Sequence, residues 1–272
     1  VVRNPGAVIS LARLKTHDDY SYMHSIAACA LMIALSRQLG HDEAAIRTAG
    51  LAGLLHDIGK ALMPNSVLNK PGKLDDHEFR EMRRHPEQGF ELLKAAGTAN
   101  EATMDVVLHH HERMDGKGYP HGLAGDSISL LARMGAVCDV YDAVTSARPY
   151  KAPWDPSEAL SRMAGWSPAH FDPAVFQSFV KALGIYPIGS LVKLQSGRLA
   201  IVVEQNPAAL MSPTVRVFFS TRTNMHVPTE LLDLASPGCP DRIAGRESVK
   251  NWAFKNLDDL WAGRETLRKL GH

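Results

Sequence analysis

Up to about Leu183, apolar residues recur at a spacing of about 3.6 among good helix formers, which predicts a run of helices. Their ends are marked. In KLDDHEF, Asp75 is placed as an N-cap, Glu78 completes a capping box, and Leu74 and Phe79 fall at the two ends of a hydrophobic staple. Asp155 before Pro156 and Asp172 before Pro173 repeat the start signal, and QLGHDE reads as a stop at Gly40 and a restart at Asp42. Around GIYPIGS the period changes. Val192 and Leu194 alternate, as do Ala200 and Val202 beyond a Ser196-Gly197 turn, and Val215, Val217 and Phe219 alternate again, so Tyr186 to about Leu234 reads as strands. From Ser248 onward, Trp252, Leu257, Leu260, Trp261 and Leu267 suit an amphipathic helix packing back on the body. The expected fold is mainly α: a helical body over residues 1–184, then a small β-rich appendage with a terminal helix over 185–272.

Composition excludes more than it assigns. A chain of 272 residues with 45% hydrophobic and 22% charged residues is ordinary for a globular protein with a sizeable core. A formal net charge of +1 gives no global reason to expect a DNA or RNA duplex or an acidic membrane as partner. No apolar run approaches a membrane span and no signal peptide is evident, so a cytoplasmic location is expected. The start at Val1 rather than Met suggests a fragment or processed product. Cys29, Cys138 and Cys239 form no CxxC pair and suggest neither a disulfide framework nor a thiolate metal site.

The chemistry lies in polar residues placed where the core should be. AGLAGLLHDIGKAL reads as a helix whose His56, Asp57 and Lys60 have little hydrophilic face to carry them to water, and LLARMGAVCDVYDAVT repeats the problem with Asp139 and Asp142. A satisfied polar core explains any single histidine, and for His41, His77, His121, His170 and His226, beside caps or in loops, that reading is kept. For His24, His56, Asp57, His85, His110, His111 and Asp139 together, a buried metal site is the better explanation. His109 is then the helix neighbour of two ligands. Nitrogen and oxygen donors without thiolate suit Fe, Mn, Zn, Ni or Co, and seven donors are too many for one tetrahedral ion, so two ions fit better. Asp57 can bridge them while His56, pointing elsewhere on the helix, binds one. Ions roughly 3.5 to 4 Å apart acidify a water between them and clamp both oxygens of an in-line displacement at phosphorus, so phosphoester hydrolysis is the natural reaction.

The motifs HDIGK with LNKPGKL, HHERMDGKGYP and DVYDAVTSARPYK, in that order, resemble the HD-GYP branch of the HD phosphohydrolase superfamily over about Tyr20 to Leu183. The resemblance implies a helical HD-domain bundle with activity against cyclic di-GMP. Carried over by position, it makes the seven residues metal ligands with Asp57 bridging, and sets Lys60 on the scissile phosphate or its leaving oxygen. Arg148 and Lys151 match a phosphate-binding pair. Asp142 touches a guanine or supports the ligands. Gly118 to Pro120 shape the cleft and offer a docking point for GGDEF-domain proteins. Family members with three metals carry a Glu where this chain has Tyr20, with Asp18 and Asp19 at the wrong helical phase, so two metals are expected.

The expected activity is therefore hydrolysis of cyclic di-GMP to pGpG and on to GMP in bacterial signalling, with iron or manganese ahead of nickel, cobalt or zinc. An enzyme preferring pGpG or another cyclic dinucleotide is one rival, and a weak nucleotide-binding or GGDEF-docking effector is the other. A homodimer is compatible with the sequence.

Overall fold

The computed structural model describes residues 20–68, 70, 72–146, 153–254 and 257–262. These divide into two compact units, one within residues 1–153 and 162–179, the other within 154–161 and 180–272.

The first unit is helical. Its elements are α1 (Tyr20–Gln38), α2 (Glu43–Leu55), a 3-10 turn (Ile58–Leu62), α3 (Asn65–Leu68), α4 (Asp76–Met82), α5 (His85–Ala96), α6 (Glu101–His109) and α7 (Leu130–Thr145). Two further helices, α8 (Pro156–Trp166) and α9 (Pro173–Leu183), each contribute residues to both units. The predicted caps are in place. Asp42 accepts from the Ala45 amide, Asp75 and Glu78 close a full capping box, and Asp155 and Asp172 each accept from amides in the first turn of their helices. Gly40 ends the α1 segment with φ at +78°, a conformation glycine adopts without penalty.

Small residues let the helices approach closely. A Cβ on Gly53 of α2 would lie 2.7 Å from the Ala28 carbonyl oxygen of α1, so these helices touch at backbone distance one turn from His24 and His56. Gly135 of α7 similarly faces Val106 and the Cβ of His110.

AGLAGLLHDIGKAL is not the continuous helix that its pattern predicts: α2 stops at Leu55, Asp57 sits at φ −101° and ψ 10°, and a 3-10 turn continues from Ile58. The bridge-region backbone of Asp57 is sparsely populated and frequent at functional sites. The break follows from Gly59, whose absent Cβ would lie 1.9 Å from the His85 carbonyl oxygen and 2.6 Å from the Gly89 nitrogen. The chain turns out of the helix to lie against the start of α5.

In the second unit, β1 (Leu191–Leu194), β2 (Arg198–Glu204), β3 (Thr214–Ser220), β4 (Met225–Asp233) and β5 (Ile243–Arg246) form an antiparallel sheet in the order β4-β3-β2-β1-β5. Val192 pairs with Ala200 across the Ser196-Gly197 turn, where Gly197 has φ at +80°. One face gathers Val192, Leu194, Ala200, Val202, Val215 and Val217. The other gathers Leu191, Leu199, Ile201, Phe218 and Phe219, so Phe219 departs from the predicted alternation. Against Leu199 and Ala200 of β2 the partners on β3 jump from Phe219 to Val217, so β3 carries one extra residue there and this bulge turns Phe219 over. That second face explains the tail. Trp252, Phe254, Leu257, Leu260 and Trp261 pack on it, but as a 3-10 turn at Val249–Asn251 and a short helix, α10 (Asp258–Ala262), rather than as one long helix. Leu267 lies outside the described residues.

Candidate metal centre

Five elements deliver the seven predicted ligands to one place. His24 comes from α1, His56 caps the C-terminus of α2, Asp57 sits next to it in the break, His85 opens α5, His110 caps α6 with His111 beside it, and Asp139 lies on α7. All are buried except His111, which is partly so. They fall into two groups, Asp57, His85, His110 and His111 in one and His24, His56 and Asp139 in the other.

Asp57 faces both. Its Oδ2 lies 3.4 Å from the Nε2 atoms of His24 and His56, while Oδ1 lies 3.2 Å from Nε2 of His85 and 3.7 Å from Nε2 of His110. Asp139 also spans the groups, with Oδ1 3.0 Å from His24 Nε2 and Oδ2 3.8 Å from His111 Nδ1. The helix break brings adjacent His56 and Asp57 to a common centre instead of sending them apart.

The outer nitrogens are anchored. His24 Nδ1 meets Asp142 Oδ2 at 2.6 Å, His56 Nδ1 donates to the Gly53 carbonyl at 2.8 Å, and His85 Nδ1 donates to the Met82 carbonyl at 2.7 Å. His110 Nδ1 lies 3.1 Å from the carbonyls of both Val106 and Val107. Such contacts fix the tautomer and turn Nε2 inward as a lone-pair donor. The inward atoms then crowd: Nε2 of His24 and His56 are 3.2 Å apart, and those of His85 and His110 are 3.4 Å apart. Asp57 Oδ1 is buried without a hydrogen-bond partner among the described residues. Converging lone pairs around an orphaned carboxylate oxygen call for a cation, and this donor set fits divalent transition metals.

Electrostatics separates the groups. Burial opposes charge on His24, but Asp139, Asp142 and Asp57 outweigh it and hold its pKa well above the usual histidine value. His56, also opposed by burial, is raised to about 9 by Asp57 and Asp139. His110 is lowered to about 4 by burial, and burial likewise holds His111 well below its ordinary value. Asp57, despite burial, is held well below the usual carboxylate range by Lys60 and His56, and Asp139 by His24 and His56.

Around the centre, Lys60 Nζ pairs with Asp57 Oδ2 while remaining about a quarter exposed, at 27%. Asp142 is buried on His24, with Ser146 Oγ donating to its other oxygen. His109 stays outside both groups, bonded to Asp105 and His121. His41, His77, His170 and His226 likewise belong to neither group. Tyr20 opens α1; its side chain lies outside the described residues, as do Asp18, Asp19, Arg148 and Lys151.

The loop after His111 is tied down twice. Arg113 makes a two-pronged contact with Asp115, and the buried Glu112 accepts from the amides of His121 at 2.7 Å and Leu123 at 3.0 Å. Gly116, Gly122 and Gly125 all have positive φ. Gly118 is needed for room: a Cβ there would lie 2.5 Å from the Arg113 nitrogen and the Glu112 Cα. Glu112→Ala removes the acceptor of the partly buried His121 and Leu123 amides, at about 1 kcal/mol each. Amide exchange at His121 and Leu123 should accelerate at least tenfold relative to the core of α1; unchanged exchange would show that the loop is held by something else.

Sequence patterns do not point to Gly59, Gly89, Arg83 or the carbonyls that receive the outer nitrogens. Gly59 sits in the HDIGK motif, yet its function is a backbone approach 26 residues away in sequence, to His85.

The HD-domain family model matches residues 6–175. A cyclic di-GMP phosphodiesterase of Pseudomonas aeruginosa is 57% identical over 263 residues, 97% of this chain and 63% of that protein. A cyclic di-GMP phosphodiesterase response regulator of Xanthomonas campestris pv. campestris is 44% identical over 150 residues, 54% of this chain and 39% of that one. The chain thus spans less than two thirds of these curated relatives. The structure is similar in fold to an HDG"Y"P protein from Bdellovibrio bacteriovorus, with a TM-score of 0.55 at 19% identity over 66% of this chain and 57% of that one.

Proposed function

The chain belongs to the HD-domain family, and from that premise we propose that it is a metal-dependent phosphodiesterase opening cyclic di-GMP to pGpG, with cleavage to GMP as a second step. The observation that carries this is the division of Asp57, one oxygen toward each histidine group. Relatives named for cyclic di-GMP hydrolysis support the choice of substrate.

In this reading His24, His56 and Asp139 hold one ion, His85, His110 and His111 hold the other, and Asp57 serves both. Two divalent ions, iron or manganese ahead of nickel, cobalt or zinc, supply an acidified water and positive charge against the phosphoryl oxygens. Lys60, released from Asp57 Oδ2 and still partly exposed, donates to a phosphoryl oxygen or protonates the departing 3′ oxygen. Asp142 holds His24 in its tautomer. Arg148 and Lys151 grip the phosphates through charge-assisted bonds. Gly118 and Tyr119 shape one wall of the cleft, and the loop they belong to offers a surface to GGDEF-domain proteins. Residues 1–184 carry the catalysis and 185–272 form an appendage. No described helix is long and apolar enough to cross a membrane.

Lys60→Ala tests the reading by chromatography of the products. Retained metal with turnover slowed at least a hundredfold, for whichever of cyclic di-GMP, pGpG or a second cyclic dinucleotide the parent cuts fastest, supports the enzyme. Full turnover would remove Lys60 from the mechanism, and a parent inert toward all three would favour the effector.

Metal uptake also has a proton signature. In the metal-free centre carboxylates raise the pKa of His24 and His56 and so favour protonation of this pair, whereas burial lowers that of His110. Binding must displace protons held on these rings, so apparent affinity rises with pH from neutrality through about 9, the value of His56. Calorimetry in two buffers of different ionisation enthalpy measures the release; none at all would contradict the assignment of His24 and His56 as ligands.

A further inference from the structure

His111 differs from the four other histidines of the centre. His24, His56, His85 and His110 each have the outer nitrogen anchored on a carboxylate or carbonyl, but no such hydrogen bond is seen for His111 among the described residues. It is also the least buried of the five. Its ring lies instead against Tyr119, stacked at 4.6 Å between centroids with an interplanar angle of 26°. The Tyr119 amide returns to the His111 carbonyl at 3.2 Å, and the close approach of Gly118 to Glu112 fixes where the ring can lie. The Arg83 guanidinium also sits over this ring, 4.4 Å from the Tyr119 centroid.

Resting on the two-ion reading above, we infer that Tyr119 is a positioning residue for the metal ligand His111, replacing with a stacked ring the hydrogen bond that orients each of the other histidines, and that the Arg83 guanidinium over the ring helps to hold it in place. The negative face of an aromatic ring attracts cationic groups. A metal-ligated imidazole carries part of the ion's charge, so the stack strengthens when His111 is loaded. The Arg83 guanidinium uses the same property, and it lies nearer the Tyr119 centroid, at 4.4 Å, than that of Phe79, at 5.9 Å.

The test is titration of metal-stripped protein with Co(II), monitored by visible absorption and calorimetry, with thermal melts of each metal-free variant as a check on folding. Tyr119→Phe keeps the stack and should bind both ions as the parent does. Tyr119→Leu should weaken one binding step by about 10- to 100-fold, the range for losing a contact that orients a ligand, and leave the other unchanged. His111→Ala should weaken the same step, and adding Tyr119→Leu to it should change little more, because the two act through one contact. Parent-like binding of both ions by Tyr119→Leu, equal weakening of both steps, or full additivity in the double variant would each overturn the inference. A parent that takes up fewer than two ions overturns the two-ion reading instead, and is visible in the same titration.

Discussion

Asp57→Asn is expected to reduce bound metal from about two ions per chain to fewer than one, and to slow turnover by more than about a hundredfold. Asp57 gives one oxygen to His24 and His56 and the other to His85 and His110. Asparagine keeps the shape but removes the charge and turns one acceptor into a donor, which would point at imidazole nitrogens or at an ion. Loss of a contact that only orients a ligand costs about 10- to 100-fold in affinity or activity, so loss of the shared ligand must exceed that. Metal analysis and initial rates on the same preparation decide it. Two ions retained with parent-like rates would mean that Asp57 is not the bridge.

Gly59→Ala should be the most damaging single-methyl change in the helical unit, destabilising it by about 3 kcal/mol or more. The new Cβ would meet the His85 carbonyl oxygen at 1.9 Å and the Gly89 nitrogen at 2.6 Å, and no rotamer relieves a clash between two backbones. The 3-10 turn must move off α5. Overpacking costs typically 1–3 kcal/mol where side chains can yield, and here only the main chain can. Because Asp57 and His85 flank this contact, the same shift separates the Asp57 carboxylate from the His85 ring. Urea unfolding of the metal-free protein isolates the packing term from the loss of ions. A midpoint equal to that of the parent would show that the turn can slide without cost.

Helix starts and the residues that cluster at the centre were legible because both depend on local chemistry. Asp42, Asp75, Asp155 and Asp172 cap amides two or three residues further along the chain, and a buried histidine or aspartate stands out within an apolar run. The features that the sequence hid are set by distant backbone. The helix break at Asp57 comes from the approach of Gly59 to α5, and the carbonyls of Gly53, Met82, Val106 and Val107 that fix the rings carry no side-chain signature. Asp142 could be read as touching substrate or supporting a ligand, and the sequence could not show that its carboxylate would lie on His24 Nδ1. Phe219 lies where alternation did not put it because a bulge adds one residue to β3. The tail reads as one helix because spacing alone does not distinguish a helix from shorter turns covering the same apolar face.

Metal-stripped protein, reconstituted separately with Fe(II), Mn(II), Ni(II) and Zn(II), should be assayed for loss of cyclic di-GMP while metal per chain is counted in the same samples. Rapid loss of substrate at about two ions per chain with at least one metal, and none in the stripped protein, is the expected result. Full occupancy with no turnover for any ion, or turnover undiminished by stripping, would contradict a two-ion phosphodiesterase.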